Sequence, residues 1–170
     1  MWKKLSSGAS GNCYIKNNIV KKCYNEFFQK NVEDVIKKMC NEINALTLLR
    51  KYKYFPKIIK VDWKKYIIYM NYVGEKIRKF SKNTLPKNIL FQLNQIKKAL
   101  NKESIIHTDL NIRHFMLYKD TISLIDFEKV IIDKKMKTPY KKYDSTARNY
   151  TEKKRTMDVL IREIRHKFRI

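Results

Sequence analysis

Hydrophobic and polar positions along this chain change period several times, and each change marks an element. Residues 1–24 are β-rich, with "NCYI" and "NIVKKCY" separated by "KNN", a good hairpin turn. From Val32 to Leu49 the period lengthens: Val32, Val35, Ile36, Met39, Ile43 and Leu46 recur at helical spacing. Pro56 ends the next region. "KIIKVDW" and "KYIIYMNYV" read as two more strands, split by a charged turn around Lys64 and Lys65. Pro86 suits the first turn of a second helix, whose stripe is Ile89, Leu93, Ile96 and Leu100. "SIIHTDL", "HFMLY" and "TISLIDF" are short apolar runs, and "YKDT" between the last two reads as a hairpin turn. Residues 133–150 are polar, basic and aperiodic, so they predict a loop. The last twenty residues predict a basic amphipathic helix, with Met157, Leu160, Ile161, Ile164 and Phe168 on one side. Strands, a helix, two strands and then a mostly helical half make an α+β chain of two lobes, with a natural ligand cleft between them. The reading is one domain over residues 1–170, with lobes at 1–73 and 74–170.

Length and composition narrow the class. The chain has 170 residues, enough for one domain with a real core, and a formal net charge of +23. Lysine outnumbers arginine roughly four to one, and Ile and Asn are abundant. Coding bias in an AT-rich genome accounts for lysines spread along the chain. The functional alternative is attraction to an acidic partner or nucleic acid. Cys13, Cys23 and Cys40 are an odd number without CxxC spacing, which fits free thiols in a reducing compartment. The N-terminal "MWKKLSSGAS" has no apolar core, and no apolar run reaches the length that spans a bilayer. The expectation is a soluble, cytoplasmic protein, with the nucleus left open.

Candidate chemistry begins with glycine, which occurs only as Gly8, Gly11 and Gly74. Such scarcity suits positions needing backbone freedom or the lack of a side chain. "LSSGASGNCYI" puts two of them in a loop feeding a strand, where backbone N–H groups can approach phosphate oxygens. Taken alone, such a pair is more often just a turn. Joined to the lysine, glutamate and aspartate motifs further along the chain, it makes residues 5–130 resemble the protein-kinase-like superfamily, in particular its compact atypical members. The glycine loop of that superfamily reads G-x-G-x-x-G-x-V. "SSGASGNC" is similar, with Ser6 at the first glycine, Gly8 and Gly11 retained and Cys13 at the valine. The resemblance implies a bilobal fold: a small antiparallel-sheet N-lobe with one helix, and a truncated, mainly helical C-lobe.

It also implies a phosphate-binding lysine on the next strand. "NIVKKCY" offers Lys21, with Lys22 the alternative if the hairpin register shifts by one. Glu42 in "MCNEINALTLL" would hold that lysine by an ion pair. "YIIYMNYVGEKI" resembles the strand and hinge between lobes. Met70 would then lie behind the adenine, the backbone from Asn71 through Tyr72 to Val73 would meet its edge, and Gly74 would turn the chain away.

The catalytic loop of the superfamily reads H-R-D-L-x-x-x-N and is followed by D-F-G. "HTDLNIRH" and "DFE" match in order and spacing. Asp109 would orient the acceptor hydroxyl and take its proton, and Asp126 would bind Mg²⁺ bridging the phosphates. His107 would shape the loop. Three positions depart. Thr108 replaces the arginine that reads a phosphorylated activation loop. His114 replaces the asparagine that is a second metal ligand, where imidazole suits Mn²⁺ better than Mg²⁺. Glu128 replaces the D-F-G glycine. Bacterial lipopolysaccharide-core sugar kinases look similar around "HFML", and the size is nearer the compact Bud-type kinases. Nothing after Glu128 resembles the A-P-E segment, so the acceptor surface is expected from residues 133–150, the terminal basic helix or another protein. The resemblance thus implies an ATP-dependent phosphotransferase with Mg²⁺ or Mn²⁺. A Ser/Thr protein acceptor is the first reading and a small-molecule hydroxyl the second; a pseudokinase binding module and a nucleic-acid binder are the rivals.

Overall fold

The computed structural model describes residues 1–8, 10–24, 32–133 and 156–170. The first part is an antiparallel five-stranded sheet in the order β1-β2-β3-β5-β4. Its strands are β1 (Lys3–Gly8), β2 (Gly11–Lys16), β3 (Ile19–Cys23), β4 (Ile58–Asp62) and β5 (Ile67–Asn71). The β2–β3 hairpin turns on Asn17 and Asn18, with φ of 50° and 59°. Two successive left-handed residues are what a tight two-residue hairpin loop requires, and asparagine tolerates them. That loop sets Lys16 opposite Ile19, Tyr14 opposite Lys21 and Cys13 opposite Lys22. Gly11, at φ +143°, brings β2 against the end of β3: a Cβ there would lie 1.8 Å from the Cys23 carbonyl oxygen.

Helix α1 (Val32–Leu48) crosses one face of this sheet. Its apolar stripe delivers Val35 and Met39 onto Tyr24, Ile68 and Met70, a small core of its own. Glu42 is one turn further along the same buried side.

Among the described residues the second half holds two α-helices and two small sheets. Helix α2 (Ile89–Lys102) buries Ile89, Leu93, Ile96 and Leu100, the stripe that the sequence predicts. It starts three residues after Pro86, whose carbonyl accepts the Ile89 N–H (3.0 Å) in a turn ahead of the helix; the proline is therefore outside the first helical turn. Strands β6 (Glu75–Lys76), β8 (Phe115–Tyr118) and β9 (Thr121–Leu124) form one sheet, and β7 (Ile105–His107) pairs with β10 (Val130–Ile132). Gln92 ties α2 to the β8–β9 hairpin, donating to the Asp120 carbonyl (2.6 Å) and accepting from the Ile122 N–H (2.9 Å). Helix α3 (Met157–Phe168) is N-capped by Thr156 and buries Met157, Leu160, Ile164 and Phe168. Each such side chain contributes about 1.5–3 kcal/mol on burial. The polar loop expected at 133–150 lies, beyond Asp133, outside the described residues. No helix among the described residues is long and apolar enough to cross a membrane.

Candidate active site

Lys22, not Lys21, enters the cleft. Its Nζ lies 2.5 Å from Glu42 Oε2, 2.8 Å from Glu128 Oε1 and 3.3 Å from Asp126 Oδ1. Lys21 emerges on the opposite face, its ammonium over the rings of Tyr14 (4.6 Å) and Trp2 (5.3 Å). The cause is parity. Neighbouring residues on a strand point to opposite faces, so a register error of one exchanges the two lysines. Counting back from a two-residue Asn17–Asn18 turn pairs Cys13, the residue at the valine position of the glycine loop, with Lys22. Cross-strand partners share a face, and the sequence itself carries this count.

The cluster around Lys22 is buried. Its side chain is 13% exposed, that of Glu42 2% and that of Glu128 6%. Burial disfavours the ammonium, but Glu42, followed by Tyr24, Asp126 and Glu128, more than offsets this and holds the lysine well above its ordinary pKa. Glu42 is itself raised: burial outweighs the attraction of Lys22, and Asp126 and Glu128 add repulsion. For Asp126 the balance reverses. Burial would raise it, yet Lys22 and then His114 hold it below the usual carboxylate range. The Tyr24 hydroxyl, fully buried, donates to the same Glu42 oxygen that meets Lys22. Glu128 and Tyr24 are the two partners of Lys22 and Glu42 that sequence reasoning missed.

Backbone geometry places these acids. Phe127, between Asp126 and Glu128, is fully buried, with its ring 5.8 Å from Phe55 and 5.2 Å from His107. Asp126 takes φ +71°, a conformation that Asp adopts more readily than most residues. Both flanking carboxylates then reach Lys22.

The catalytic-loop segment sits beside them. The Ile125 N–H donates to the His114 carbonyl (3.0 Å), setting imidazole Nε2 3.4 Å from Asp126 Oδ2. His114 is lowered from its ordinary pKa, mainly by burial, and its Nε2 accepts from Arg113 Nε (3.0 Å), so the ring is neutral near pH 7. A neutral imidazole and a carboxylate are a donor set that suits Mn²⁺ and tolerates Mg²⁺. In this geometry Arg113 takes the Nε2 lone pair beside Asp126 and would have to release it to a cation. Glu42, Asp126 and Glu128 also bring one oxygen each within 4.8 Å of one another, with Lys22 among them. Asp109 is more open, at 34% side-chain exposure, with Arg113 Nη2 at 3.5 Å and Lys129 Nζ at 3.8 Å from its Oδ2. Its N–H donates to His107 Nδ1 (3.3 Å). His107 is 2% exposed, and burial pushes it down to about 4, so it is a neutral loop-shaping residue in this geometry. Thr108 donates through both N–H and Oγ1 to the Lys129 carbonyl (2.9 Å each), stapling this loop to the segment after Asp126.

On the β1–β2 side of Lys22, Ser6 stands opposite Cys13, and Cys13 opposite Lys22, in one cross-strand row. Burial raises the Cys13 thiol, with Lys22 opposing. Gly8 and Gly11 face each other across the β1–β2 connection, whose Ala9 is not described. Met70 is 6% exposed on the cleft side of β5. The Asn71 and Tyr72 N–H groups donate to the carbonyls of Lys57 (3.1 Å) and Asn18 (2.8 Å). Asn71 Oδ1 also accepts from the Lys57 N–H (2.5 Å). Gly74, at φ +102°, passes so close to β8 that a Cβ would lie 1.9 Å from the Leu117 carbonyl oxygen.

A small antiparallel sheet with one helix, joined by a tight glycine turn to a second lobe that carries an "HTDL" loop and a "DFE" turn, defines a protein-kinase-like chain. Residues 14–139 match the RIO domain, and the chain belongs to that atypical protein-kinase-like family. No curated protein matches the chain.

Proposed function

We propose that this RIO-family chain is an ATP-dependent phosphotransferase that moves the γ-phosphate to a hydroxyl, most directly that of Ser or Thr on a protein. The observation that carries this reading is the convergence of the buried Lys22 and Glu42 with the part-exposed Asp126, drawn from β3, α1 and the "DFE" turn. Lys22 binds phosphate oxygens and is positioned by Glu42, which Tyr24 orients in turn. Ser6, Gly8, Gly11 and Cys13 cover the phosphates, and Met70, Asn71 and Val73 bound the base. Asp126 and His114 hold the divalent cation, Mg²⁺ or Mn²⁺, which neutralises phosphate charge when bound. Asp109, open to the cleft, orients the acceptor hydroxyl and receives its proton. The work of the protein is positioning and charge neutralisation rather than covalent catalysis.

Arg113 and Lys129 flank Asp109 and leave its edge positively charged, which favours an acceptor with acidic residues beside the hydroxyl. A second reading, transfer to a sugar-type hydroxyl, is favoured by His114 and Glu128, the "HFML" segment being similar in sequence to the lipopolysaccharide-core kinases.

Radiolabelled γ-phosphate transfer tests both readings, with Mg²⁺ or Mn²⁺ against protein and small-molecule acceptors and the Asp109→Ala variant in parallel. Label on an acceptor in wild type alone supports transfer through Asp109. Equal label in both removes Asp109 from the mechanism. A thermal shift with ATP and no label on any acceptor favours a nucleotide-binding module instead.

A further inference from the structure

Lys22 meets three carboxylates, donating hydrogen bonds to Glu42 and Asp126 and pairing with Glu128 at 2.8 Å. The three partners differ. Glu42 and Glu128 are almost wholly buried and close, at 2.5 and 2.8 Å, whereas Asp126 is 35% exposed and the most distant, at 3.3 Å. Asp126 is therefore the partner that gives way most readily. In the proposed function it turns to the cation, which frees one donor for phosphate. Two buried carboxylates remain on the lysine, one from α1 and one from the "DFE" turn.

Glu128 is also held from the other side. Its carbonyl accepts from Asn41 Nδ2 (2.8 Å), and Asn41 immediately precedes Glu42 on α1. One residue thus grips the lysine through its side chain and the helix through its main chain. An outward swing of α1 breaks the Asn41–Glu128 bond and parts Glu42 from Lys22, while Glu128 stays on the lysine.

We propose that Glu128 is a positioning residue: a second anchor that shares Lys22 with Glu42 and locks α1 onto the site, so that the cluster is assembled before nucleotide arrives and without a separate activating event. The nucleotide part of this inference rests on the phosphotransferase reading; the lock itself does not. A competitor role, with Glu128 withholding Lys22 from phosphate, makes the opposite prediction for nucleotide affinity.

The test combines Glu128→Gln, Glu128→Asp, Glu42→Gln and the Glu42→Gln/Glu128→Gln double variant, with Lys22→Met as a probe of the pair. In transfer assays Glu128→Gln is expected to raise KM for ATP about tenfold with a smaller change in kcat, the loss of one charge-assisted contact. Glu128→Asp recovers part of that loss, and the double variant falls further than either single change. In nucleotide-free urea unfolding, Lys22→Met and Glu128→Gln are expected to be non-additive, as paired groups are. Additive unfolding effects overturn the anchor, and a lowered KM in Glu128→Gln establishes the competitor instead. If wild type neither binds nor turns over ATP, the phosphotransferase reading fails, while the unfolding cycle still decides whether Glu128 anchors Lys22.

Discussion

The two acidic regions of the cleft are built in opposite ways. Around Lys22, two almost wholly buried carboxylates and a buried tyrosine crowd one lysine, and only the third carboxylate, Asp126, reaches solvent. Around Asp109, one third-exposed carboxylate has two long side chains of opposite charge at 3.5 and 3.8 Å. In the first region interactions are weakly screened, and removing one partner leaves a buried charge uncompensated. In the second, solvent screens every pair and each is weak. The first region is organised to fix positions. The second leaves a carboxylate ready to meet a group that is not part of the chain.

The largest expected effect breaks the second region. Asp109→Asn keeps the shape but removes the proton acceptor, so kcat should fall about 10²–10⁴-fold. ATP affinity, read by calorimetry, should stay near the wild-type value. If binding falls in step with kcat, Asp109 belongs to the nucleotide-holding cluster and the contrast is lost.

Next comes the buried lysine. Lys22→Met should reduce kcat/KM about 10²–10³-fold, the scale for removing one donor aimed at developing charge. Lys21→Met, one residue away, is expected to leave transfer unchanged, because that side chain lies over Tyr14 and Trp2 on the other face. Reversed outcomes for the two lysines would place the β2–β3 register one residue out.

These two lysines also mark how far the sequence reaches. Helices α1 and α2 are legible because their apolar residues recur at 3.6-residue spacing: in α2 all four stripe residues are buried, whereas in α1 Val35, Met39 and Leu46 are buried and Val32 and Ile36 are exposed. Glu42 and Asp126, the acids that meet Lys22, are legible because motif spacing carries them, and Asp109 is a candidate on the same spacing. The choice between Lys21 and Lys22 needs strand parity, which the asparagine pair in the turn supplies. Glu128 is different in kind. Its link to Lys22 joins residues far apart in the sequence, and no local period or spacing reports such a pair; only the buried Phe127 and the turn at Asp126 bring it round. Tyr24 reads locally as one more strand aromatic.

The histidines sharpen the comparison through stability. His107 is neutral when folded, with its pKa down to about 4 because burial disfavours the cation, and it titrates at about 6.5 when unfolded. Between these values the unfolded chain binds the extra proton. Its contribution is therefore complete above about 6.5 and is lost as pH falls toward about 4, on the order of 3 kcal/mol in all. Glu42, raised in the folded chain, works in the opposite sense at acid pH, so the comparison must isolate His107. His107→Phe should flatten the fall in urea-unfolding stability between pH 7 and pH 5 relative to wild type. Parallel slopes in the two proteins would show the imidazole protonated in the fold.

The smallest effect belongs to the cations at the open edge. Arg113 and Lys129 are half or more exposed, and both stand further from Asp109 Oδ2 than a short ion pair. Neutralising both with glutamine should leave folding stability within about 0.5 kcal/mol, the usual range for surface changes. Their effect should instead appear in encounter with an acidic acceptor. KM for an acidic peptide should rise a few-fold at low salt, and the difference from wild type should shrink as salt approaches about 1 M, where the screening length is about 3 Å. Charge that steers a partner loses its influence in this way, while charge that fixes a buried lysine does not. The same salt series on Lys22→Met should therefore show a defect that salt leaves in place. If salt instead removes the Lys22→Met defect and spares that of the double glutamine variant, the roles assigned to the two ends of the cleft are exchanged.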